Sequence, residues 1–270
     1  MEREHRGFVV GGHWTDELFV RHPELFLAVH EHGWPYGEEQ ARDLVRVFER
    51  FGVRPGARLL DAPCGIGRHA TRLAKLGYRV VGVDLVPRYI ERARELAERE
   101  GASDRAAYVV GDLRRLSSAL PDERERFDVA MNLWTSLGYY DEATDVKILW
   151  EYASLVRPSG LLFVEIVNRD FLVRHYDPQG CEAFGDIVQI EERRLDLESS
   201  RMRNEWRFYR REGRDLAHLA TIPIDHRVYA LHELRGLLEK GGWSVEATFG
   251  GLKMDPTTFD APRLFLVGRK

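Results

Sequence analysis

The 270-residue sequence has few cysteines and no long apolar run. Its two cysteines, Cys64 and Cys181, lie far apart and form no CxxC pair, which argues against a disulfide framework or a zinc knuckle and favours reduced thiols. No segment reaches the roughly 20 apolar residues of a membrane span, and residues 1–6 contain no apolar stretch of signal-peptide length. We therefore expect a cytoplasmic protein with no membrane partner.

The sequence also lacks an excess of positive charge. Its 40 lysines and arginines stand against 44 acidic residues, which gives a formal net charge of -4, and the two signs are interspersed. The chain contains no basic stripe of the kind that binds nucleic acid, so we expect no nucleic-acid partner.

What the sequence does have is an alternation of short apolar runs with helical segments, in a chain that is 44% hydrophobic. Strands are predicted at 58–62, 79–84, 107–110, 127–133 and 161–167, with helices at 66–76, 87–99 and 142–156. Such β-α-β alternation is typical of a parallel sheet covered by helices on both faces. The right-handed crossover rule then favours a doubly wound α/β sheet.

The pattern differs at both ends of this region. The lead-in is helical and rich in aromatic residues and histidines, whereas strands at 186–195, 201–211 and 217–224, with a turn at 197–200, predict an antiparallel insertion. We therefore expect four parts: a helical cap (1–50), a Rossmann-like ligand-binding core (51–170), an insertion that serves as substrate lid or dimer contact (171–225), and the completion of the core sheet (226–270).

The strongest chemical signal lies at the first strand-to-helix turn, in the run Leu59-Leu60-Asp61-Ala62-Pro63-Cys64-Gly65-Ile66-Gly67-Arg68-His69. Glycines there let the backbone approach a ligand at the carboxyl edge of the sheet. Asp84 ends the second strand, 17 residues after Gly67, where a carboxylate can accept both ribose hydroxyls of a nucleoside cofactor. Spacing alone leaves three interpretations open: a dinucleotide fingerprint of the GxGxxG/A type, an adenosyl-cofactor site, or a tight turn without a ligand.

Further motifs resemble those of the class I S-adenosylmethionine-dependent methyltransferases. The family has an acidic residue before Cys-Gly-x-Gly, as in Asp61 to Gly67, and an Asp after its third strand, as in Gly111-Asp112-Leu113. Its "Leu-x-Pro-Gly-Gly" turn is similar to Val156-Arg157-Pro158-Ser159-Gly160, where Ser159 departs from glycine.

The resemblance is strongest to bacterial small-molecule methyltransferases. Those proteins have "Asn-Leu-Phe-Thr-Ser-Phe-Gly-Tyr" after the fourth strand, and many end with "Ser-Pro-Arg-Leu". The corresponding runs here are Asn132-Leu133-Trp134-Thr135-Ser136-Leu137-Gly138-Tyr139 and Ala261-Pro262-Arg263-Leu264. The resemblance extends from about Tyr36 to Lys270.

The resemblance implies both a fold and a cofactor. The fold is a Rossmann-like seven-stranded, mostly parallel sheet with flanking helices and an antiparallel last strand, together with the N-terminal helical cap and the antiparallel β insertion. The cofactor is S-adenosyl-L-methionine. Family positions imply that it is bound by Tyr36, Asp61, Gly65, Gly67, Asp84, Leu85, Asp112, Leu113, Asn132 and Leu133.

Each part of the cofactor has an implied partner. Gly65 and Gly67 pass under the methionine part, whose amino group faces Asp61 and whose carboxylate meets Tyr36. Asp84 binds the ribose. The adenine amine donates to the carboxylate that follows the third strand, and backbone groups at the end of the fourth strand lie near the sulfonium.

The implied reaction is an in-line displacement, in which N, O or C of a small-molecule acceptor attacks the methyl carbon. The enzyme then mainly positions and desolvates the reactants, and a general base is optional because an amine needs only its lone pair. The candidates for a base or an orienting group are Tyr139, Tyr140 and His226, with His175 as a further histidine and Glu165 as a buried carboxylate. Each also has a structural interpretation, such as the wall of a pocket or the partner of an arginine.

Two other motifs are interpreted as having no chemical role. The run His30-Glu31-His32 lacks a third placed ligand, so we expect no metal. Cys64 has no paired histidine and acid, so we expect a loop residue and no nucleophile.

Two rival functions stay open at this point. One is an NAD(P)-dependent oxidoreductase, against which Asp61, Asp112 and the lack of a Tyr-x-x-x-Lys pair argue. The other is a protein that binds S-adenosylmethionine without catalysis. The identity of the acceptor is not encoded in a motif, because loops shape its pocket. A strand edge in the insertion is compatible with a homodimer.

Overall fold

Five parallel strands form the centre of the molecule, which is a computed structural model that describes residues 12–270. In chain order the strands are β1 (Arg58–Asp61), β2 (Arg79–Asp84), β3 (Ala106–Val110), β4 (Phe127–Asn132), β5 (Val156–Val167), β6 (Gln179–Phe184), β7 (Ile187–Asp196), β8 (Arg201–Glu212), β9 (Asp215–Arg227), β10 (Ser244–Phe249) and β11 (Arg263–Arg269).

Helices connect and cover these strands. They are α1 (Pro23–Gly33), α2 (Gly37–Arg50), α3 (Arg68–Lys75), α4 (Pro87–Arg99), α5 (Leu116–Ala119), α6 (Glu142–Leu155), α7 (Arg169–Arg174) and α8 (Leu231–Lys240). A π-helical turn at Asp16–Arg21 precedes α1, and 3-10 turns span Trp34–Tyr36 and Leu113–Arg115. The predicted helical cap is described from residue 12 onwards, so its first part lies outside the described residues. In the described part of the chain, no helix is long and apolar enough to span a membrane.

The main sheet has seven strands in the order β10-β11-β5-β4-β1-β2-β3. Strand β11 is antiparallel to both of its neighbours, β5 and β10, and the other contacts between neighbours are parallel. The predicted Rossmann-like sheet with an antiparallel last strand is therefore confirmed. The strand order reverses beside β1, and ligands bind at such a switch point in open α/β sheets.

Alternation along the central strands creates two apolar layers. Leu59 and Val129 face one side of the sheet, where they join the cluster that contains α2 and α3. Leu60 and Ala130 face the other side and pack with α6 and α8. All four side chains are fully buried, as expected for parallel strands covered on both faces.

The turn before the fifth strand shows why the family prefers glycine there. Ser159 has a φ of 60°, in the left-handed region, where glycine has no steric penalty. Residues between Val156 and Leu161 do not pair with β4, so the turn motif at 156–160 forms a bulge within β5.

The insertion is a second, four-stranded antiparallel sheet in the order β6-β7-β8-β9. Strands β7 and β8 match the predicted strands, but β9 extends beyond its predicted bounds and β6 was not predicted. Strand β6 is exposed along most of its length, so it lacks the apolar alternation by which a strand is recognised. One face of this sheet packs on the N-terminal segment through a buried cluster of Leu18, Leu25, Ile187, Phe208, Ala220, Ile222 and Ile224.

Candidate active site

A single cavity lies at the carboxyl edge of the main sheet and holds most of the predicted site residues. The enclosed cavity measures about 100 Å³ and opens to solvent at its mouth. The predicted residues that line it are Gly65, Asp84, Leu85, Asp112, Leu113, Leu133, Tyr139 and Tyr140. They meet because each follows a parallel strand, and parallel strands end at the same edge.

Asp84, at the end of β2, fixes the glycine-rich loop. Its Oδ2 accepts the backbone N–H of Gly65 at 2.9 Å, and its Oδ1 accepts that of Val86 at 3.0 Å. Burial raises the pKa of Asp84 to about 6, although both backbone donors act in the opposite direction. Each carboxylate oxygen can accept a further hydrogen bond, so the side chain can also receive hydroxyls from a ligand.

Asp61, at the end of β1, is a buried carboxylate with one oxygen that accepts no hydrogen bond from the described residues. It is 1% exposed, and its Oδ2 has no hydrogen-bond partner among residues 12–270. Burial raises its pKa to about 7, against the effects of the Ala70 backbone N–H and the Arg68 guanidinium. An unpartnered buried oxygen costs free energy, and a cationic group of a ligand would remove that cost.

Asp112 is already engaged with an arginine. It caps the 3-10 turn by accepting the backbone N–H of Arg114 at 2.8 Å, and it accepts Nε and Nη2 of the same side chain at 3.0 and 2.7 Å. Burial alone would raise the pKa of Asp112, but these hydrogen bonds hold it below its ordinary value. The carboxylate is therefore ionised and fixed in orientation at the cavity wall.

Two consecutive residues after β4 have left-handed backbone conformations. Trp134 and Thr135 have φ values of 63° and 62°, which are uncommon for residues other than glycine. Glu165 holds both, because its Oε2 accepts the Trp134 N–H at 3.2 Å and its backbone oxygen accepts the Thr135 N–H at 3.0 Å. Arg263 completes the network with hydrogen bonds to Thr135 Oγ1 at 2.9 Å and to Glu165 Oε2 at 3.3 Å.

This network explains why two distant sequence motifs occur together. Thr135 belongs to the run after β4, and Arg263 begins β11 in the run near the end of the chain. The two side chains meet next to Trp134, which lines the cavity. Of the two interpretations of Glu165, the structure favours the partner of an arginine.

The two candidate tyrosines line the cavity but are poorly suited as bases. Burial raises the pKa of both Tyr139 and Tyr140, so both hydroxyls are protonated at neutral pH and act as donors. Tyr140 stacks on the His13 ring, with centroids 4.7 Å apart, and the Arg114 guanidinium lies 4.9 Å from its ring centre. These contacts support the interpretation of the tyrosines as pocket wall.

The candidate histidines lie elsewhere. His226 is on β9 of the insertion and does not line the cavity, and burial lowers its pKa to about 4. His175 follows α7 on the surface, with its Nε2 3.5 Å from an oxygen of Asp260. The structure therefore separates both histidines from the candidate tyrosines, which line the cavity.

Four cofactor candidates lie outside the cavity lining: Tyr36, Asp61, Gly67 and Asn132. Tyr36 is 58% exposed in its 3-10 turn. Asn132 is fully buried, and its Nδ2 donates to the Tyr152 hydroxyl at 3.0 Å. A Cβ added to Gly67 would lie 2.6 Å from the Tyr108 hydroxyl, so the space beside Gly67 belongs to that ring and not to a ligand.

His30 and Arg68 are among the cavity residues that were not predicted from the sequence. His30 packs edge-on against Phe26 and Tyr89, and a Cβ on Gly65 would lie 2.7 Å from its ring. Burial, together with the Arg68 charge, lowers the pKa of His30 to about 3, so it is neutral. Arg68 itself lines the cavity and is 9% exposed. Its only sequence signal is its place directly after Gly67.

A second, polar cleft adjoins the first and shares Tyr140 with it. Its lining residues are Gly12, His13, Trp14, Glu17, Tyr140, Asp141, Glu192, Arg194, Arg201, Arg203, Asn204, Glu205, Pro223, Ile224 and Asp225. Two buried polar atoms in this lining, Asn204 Oδ1 and Trp14 Nε1, have no hydrogen-bond partner among the described residues. In that part of the chain, no group of three His, Cys, Asp or Glu side chains is arranged to hold a metal ion.

The chain is similar to known proteins in its central part. A sequence profile of a methyltransferase domain matches residues 59–160. A ubiquinone biosynthesis O-methyltransferase from Methylocella silvestris is 39% identical over 124 residues, 45% of this chain and 44% of that protein. A ubiquinone biosynthesis O-methyltransferase from Sinorhizobium fredii is 30% identical over 176 residues, 58% of this chain and 67% of that protein. The chain thus covers about half the length of the curated relatives that it matches.

The fold as a whole is shared with solved methyltransferases. The CcbJ methyltransferase from Streptomyces caelestis superposes with a TM-score of 0.72 at 19% identity, over 87% of this chain and 89% of that one. An amino pentose methyltransferase from Micromonospora echinaspora was solved with bound S-adenosylmethionine. It superposes with a TM-score of 0.64 at 20% identity, over 90% of this chain and 97% of that one. At these identities the likeness concerns the fold alone.

Proposed function

Because the chain belongs to the class I S-adenosylmethionine-dependent methyltransferases, we propose that it transfers a methyl group from S-adenosyl-L-methionine to N, O or C of a small-molecule acceptor. The observation that carries the proposal is a pair of buried carboxylates, Asp61 and Asp84, beside a glycine-rich loop at the switch point of the sheet. Asp84 lines the cavity and offers an acceptor for ribose hydroxyls, and the buried Asp61, two residues before the lining residue Pro63, offers an acceptor for an ammonium group.

The cavity and its surroundings have a suitable group for each part of the cofactor. Asp84, in the cavity lining, would accept the ribose hydroxyls. The unpartnered Oδ2 of Asp61, buried outside the lining, would accept the ammonium of the methionine part. Asp112 and Leu113 would border the adenine, and Leu133 would lie near the sulfonium. When bound, the cofactor supplies a methyl carbon on a sulfonium, which is an excellent leaving group.

The second cleft is the proposed path of the acceptor. It meets the cofactor cavity at Tyr140. Its two buried atoms without hydrogen-bond partners in the described chain, Asn204 Oδ1 and Trp14 Nε1, can bind a polar small molecule. Insertion residues form a large part of this cleft and none of the cofactor cavity. This division supports the prediction that the insertion is a substrate lid.

The residues of the chain contribute mainly position and exclusion of water. Phe19 and Phe26 cover the cavity, and Trp134 closes it on the side of β4. A protonated Tyr139 or Tyr140 can orient an acceptor by donating a hydrogen bond, but it cannot remove a proton from one. An amine acceptor requires no base, whereas a hydroxyl acceptor would have to lose its proton to water or to its own neighbouring groups.

Known relatives act on different acceptors. One solved neighbour is an amino pentose methyltransferase, and the curated relatives methylate oxygen in ubiquinone biosynthesis. For this chain we propose a soluble metabolite in the cytoplasm, since Cys181 is an exposed free thiol and such thiols persist in reducing compartments. The exposed edges of the insertion sheet are compatible with a homodimer.

Calorimetry with S-adenosylhomocysteine and with NADH tests the cofactor. We expect micromolar binding of the adenosyl ligand, and at least tenfold weaker binding by Asp84→Ala, because two charge-assisted hydrogen bonds to the ribose are lost. Tight NADH binding without adenosyl binding would point to an oxidoreductase instead.

A methyl-transfer assay then separates an enzyme from a simple binder. Radiolabelled S-adenosylmethionine is incubated with a panel of small amines, phenols and amino sugars, and labelled products are counted. We expect labelled product with at least one class, and at least several-fold less product with Asp84→Ala when the cofactor is limiting. Tight adenosyl binding with no transfer to any class would favour a sensor.

A further inference from the structure

Three uncharged polar atoms without hydrogen-bond partners lie between the second sheet and the N-terminal segment. Among residues 12–270, eleven buried side-chain polar atoms have no partner, and three of them are Trp14 Nε1, Asn204 Oδ1 and Trp206 Nε1. Asn204 is 8% exposed and lines the second cleft together with Trp14. Most buried polar atoms in folded proteins have a partner, so three unsatisfied atoms in one region indicate a place for a ligand.

The fold places these side chains on the same side of the second sheet. Asn204 and Trp206 are two residues apart on β8, so both point to one face. Their neighbours on β9 belong to the apolar cluster that packs on Trp14 and Trp206. Trp206 also stacks on Phe26, which lines the cofactor cavity. The three unsatisfied atoms therefore extend from the second cleft towards the cofactor cavity.

The charged side chains around these atoms already have partners. On the same face of the sheet, Glu191 accepts the Nε–H of Arg193 at 2.8 Å. At the mouth of the cleft, Arg201 pairs with Asp225 at 2.6 Å, and Arg194 is exposed to solvent, which satisfies its charge. A charged ligand would compete with these ion pairs, whereas an uncharged group would leave them intact.

The three atoms also select the kind of group that can satisfy them. An indole N–H only donates a hydrogen bond, and the Oδ1 of an asparagine only accepts one. An ammonium group cannot accept from the two indoles, and a carboxylate or a phosphate cannot donate to Asn204. A hydroxyl does both with a single oxygen, and it carries no charge.

We propose that Trp14, Asn204 and Trp206 bind hydroxyl groups of the methyl acceptor, which is therefore an uncharged, hydroxylated molecule on the side that faces the second sheet. This inference rests on the proposed function, because it takes the occupant of the second cleft to be the acceptor. The three residues do not line the cofactor cavity, so they act on the acceptor alone. Without the acceptor, their unsatisfied atoms lower the stability of the protein, and the bound hydroxyls remove that cost.

Thermal unfolding of the ligand-free protein tests whether Asn204 is unsatisfied. Asn204→Leu keeps the approximate shape of the side chain and removes its polar group, so the melting temperature should stay unchanged or rise by about 2–4 °C. Asn168→Leu is the matched control. Asn168 is also buried, its Oδ1 accepts the Asp170 N–H, and its Nδ2 donates to two backbone oxygens, so this variant should melt several degrees lower. If both variants are destabilised alike, Asn204 has a partner within the protein and the inference is overturned.

Binding of three six-membered rings tests the chemical class of the ligand. Saturation-transfer NMR on protein loaded with S-adenosylhomocysteine compares myo-inositol, which carries hydroxyls, with cyclohexylammonium and cyclohexanecarboxylate. We expect the signal of myo-inositol to be at least about threefold stronger than that of either charged ring. Trp14→Phe removes one donor and keeps an aromatic ring, and it should lose most of the myo-inositol signal, as should Asn204→Leu. Trp150→Phe is the control, because Trp150 is a 56% exposed indole on α6 outside both clefts, and it should keep the signal.

The outcomes separate this inference from the proposed function. If a charged ring binds better than myo-inositol, if myo-inositol gives no signal with the parent, or if Trp14→Phe behaves like Trp150→Phe, the hydroxyl site is overturned and the proposed function stands. If the protein does not bind S-adenosylhomocysteine but binds myo-inositol through Trp14 and Asn204, the proposed function is wrong. The hydroxyl site then stands, and its assignment to a methyl acceptor is overturned.

Discussion

At the scale of single residues, the two buried carboxylates predict a pH dependence of cofactor binding. The pKa of Asp84 is raised to about 6 and that of Asp61 to about 7, chiefly by burial. Only the ionised forms accept hydrogen bonds with both oxygens and pair with an ammonium. We expect the affinity for S-adenosylhomocysteine to be constant above about pH 8 and to fall more than tenfold by about pH 5.5.

Calorimetry at a series of pH values provides the measurement, and Asp84→Asn provides the control. This variant cannot ionise, so its weaker binding should show only the inflection that belongs to Asp61. In the ligand-free protein, the stability changes with pH in the opposite direction to the ligand affinity. A folded-state pKa above the ordinary value of 3.8 means that these groups lower the free energy of unfolding as the pH rises from about 4 to about 7. A flat binding profile over this range would contradict the assignment.

Much of the cavity could be predicted from the sequence, because motif residues that end parallel strands must meet at one edge. Gly65, Asp84 and Asp112 are such residues, and the structure brings them together. Their roles toward the cofactor stay predictions. Arg68 and His30 could not be found, since whether a helical side chain points into a cavity depends on how α1, α2 and α3 pack. The position of Tyr36, exposed and outside the cavity lining, depends on the same packing.

At the scale of secondary-structure elements, the left-handed turn after β4 depends on one hydroxyl. Thr135 Oγ1 accepts the Val167 N–H at 3.0 Å and the Arg263 guanidinium at 2.9 Å. We expect Thr135→Ala to lower the free energy of unfolding by about 1–3 kcal/mol, because two partly buried donors lose their acceptor. It should also weaken binding of S-adenosylhomocysteine several-fold, because Trp134 is then free to leave the cavity wall.

Urea unfolding and calorimetry measure the two effects. Thr135→Ser is the matched control, since it retains the hydroxyl and loses only a methyl group, and it should behave like the parent. If the alanine variant is as stable as the parent, the hydroxyl does not hold the turn.

The glycine-rich loop gives a second prediction at this scale. Gly67 has a φ of 76°, and an added Cβ would come within 2.6–2.8 Å of the Tyr108 ring and hydroxyl. Tyr108 is fixed from the other side by a 2.7 Å hydrogen bond to Thr71. We expect Gly67→Ala to cost about 1–3 kcal/mol of folding free energy through backbone strain and crowding.

This expectation differs from a role of Gly67 in ligand approach, in which binding would be lost and stability kept. Thermal unfolding and ligand titration of the same sample distinguish the two. Gly101→Ala is the control, because Gly101 has a φ of 66° but an added Cβ would meet nothing within 4 Å. It therefore reports the cost of the backbone conformation alone. A stable Gly67→Ala protein that fails to bind would restore the ligand-approach interpretation.

The elements themselves were predictable where periodicity was strong. Alternation identified β7 and β8, whereas β6 escaped because its side chains are mostly exposed and show no apolar face. The second sheet was expected to serve as a substrate lid or a dimer contact. Its packing on the N-terminal segment depends on contacts between residues far apart in sequence, which no local pattern encodes.

At the scale of the whole molecule, α1 links the insertion to the cofactor cavity. Phe26 lines the cavity and also stacks on Trp206 of β8, with ring planes 5° apart and centroids 6.3 Å apart. The insertion therefore supports the cofactor site without touching it. Its replacement by a short linker would be expected to weaken cofactor binding as well as abolish methyl transfer, because one face of α1 would lose its partner.

A point substitution tests this link more sharply than a deletion. We expect Trp206→Ala to weaken S-adenosylhomocysteine binding about three- to tenfold, since Phe26 loses its support in the cavity wall. Tyr209→Ala is the control on the same strand. Tyr209 packs on His218, with centroids 5.4 Å apart, and does not join the apolar cluster on α1. Equal effects of the two variants on binding would show that the insertion and the cofactor site are independent.

The same packing has a consequence for how the chain is made. The apolar cluster between the N-terminal segment and the insertion joins Leu18 and Leu25 to residues of β7, β8 and β9, which leave the ribosome about 160–200 residues later. At roughly 5–20 residues per second, translation separates the two halves by about 10–40 s. During that interval the Rossmann-like core can form from its contiguous strands, while the apolar face of α1 has no native partner. Nascent chains that end before β8 are therefore the ones that should depend most on chaperones.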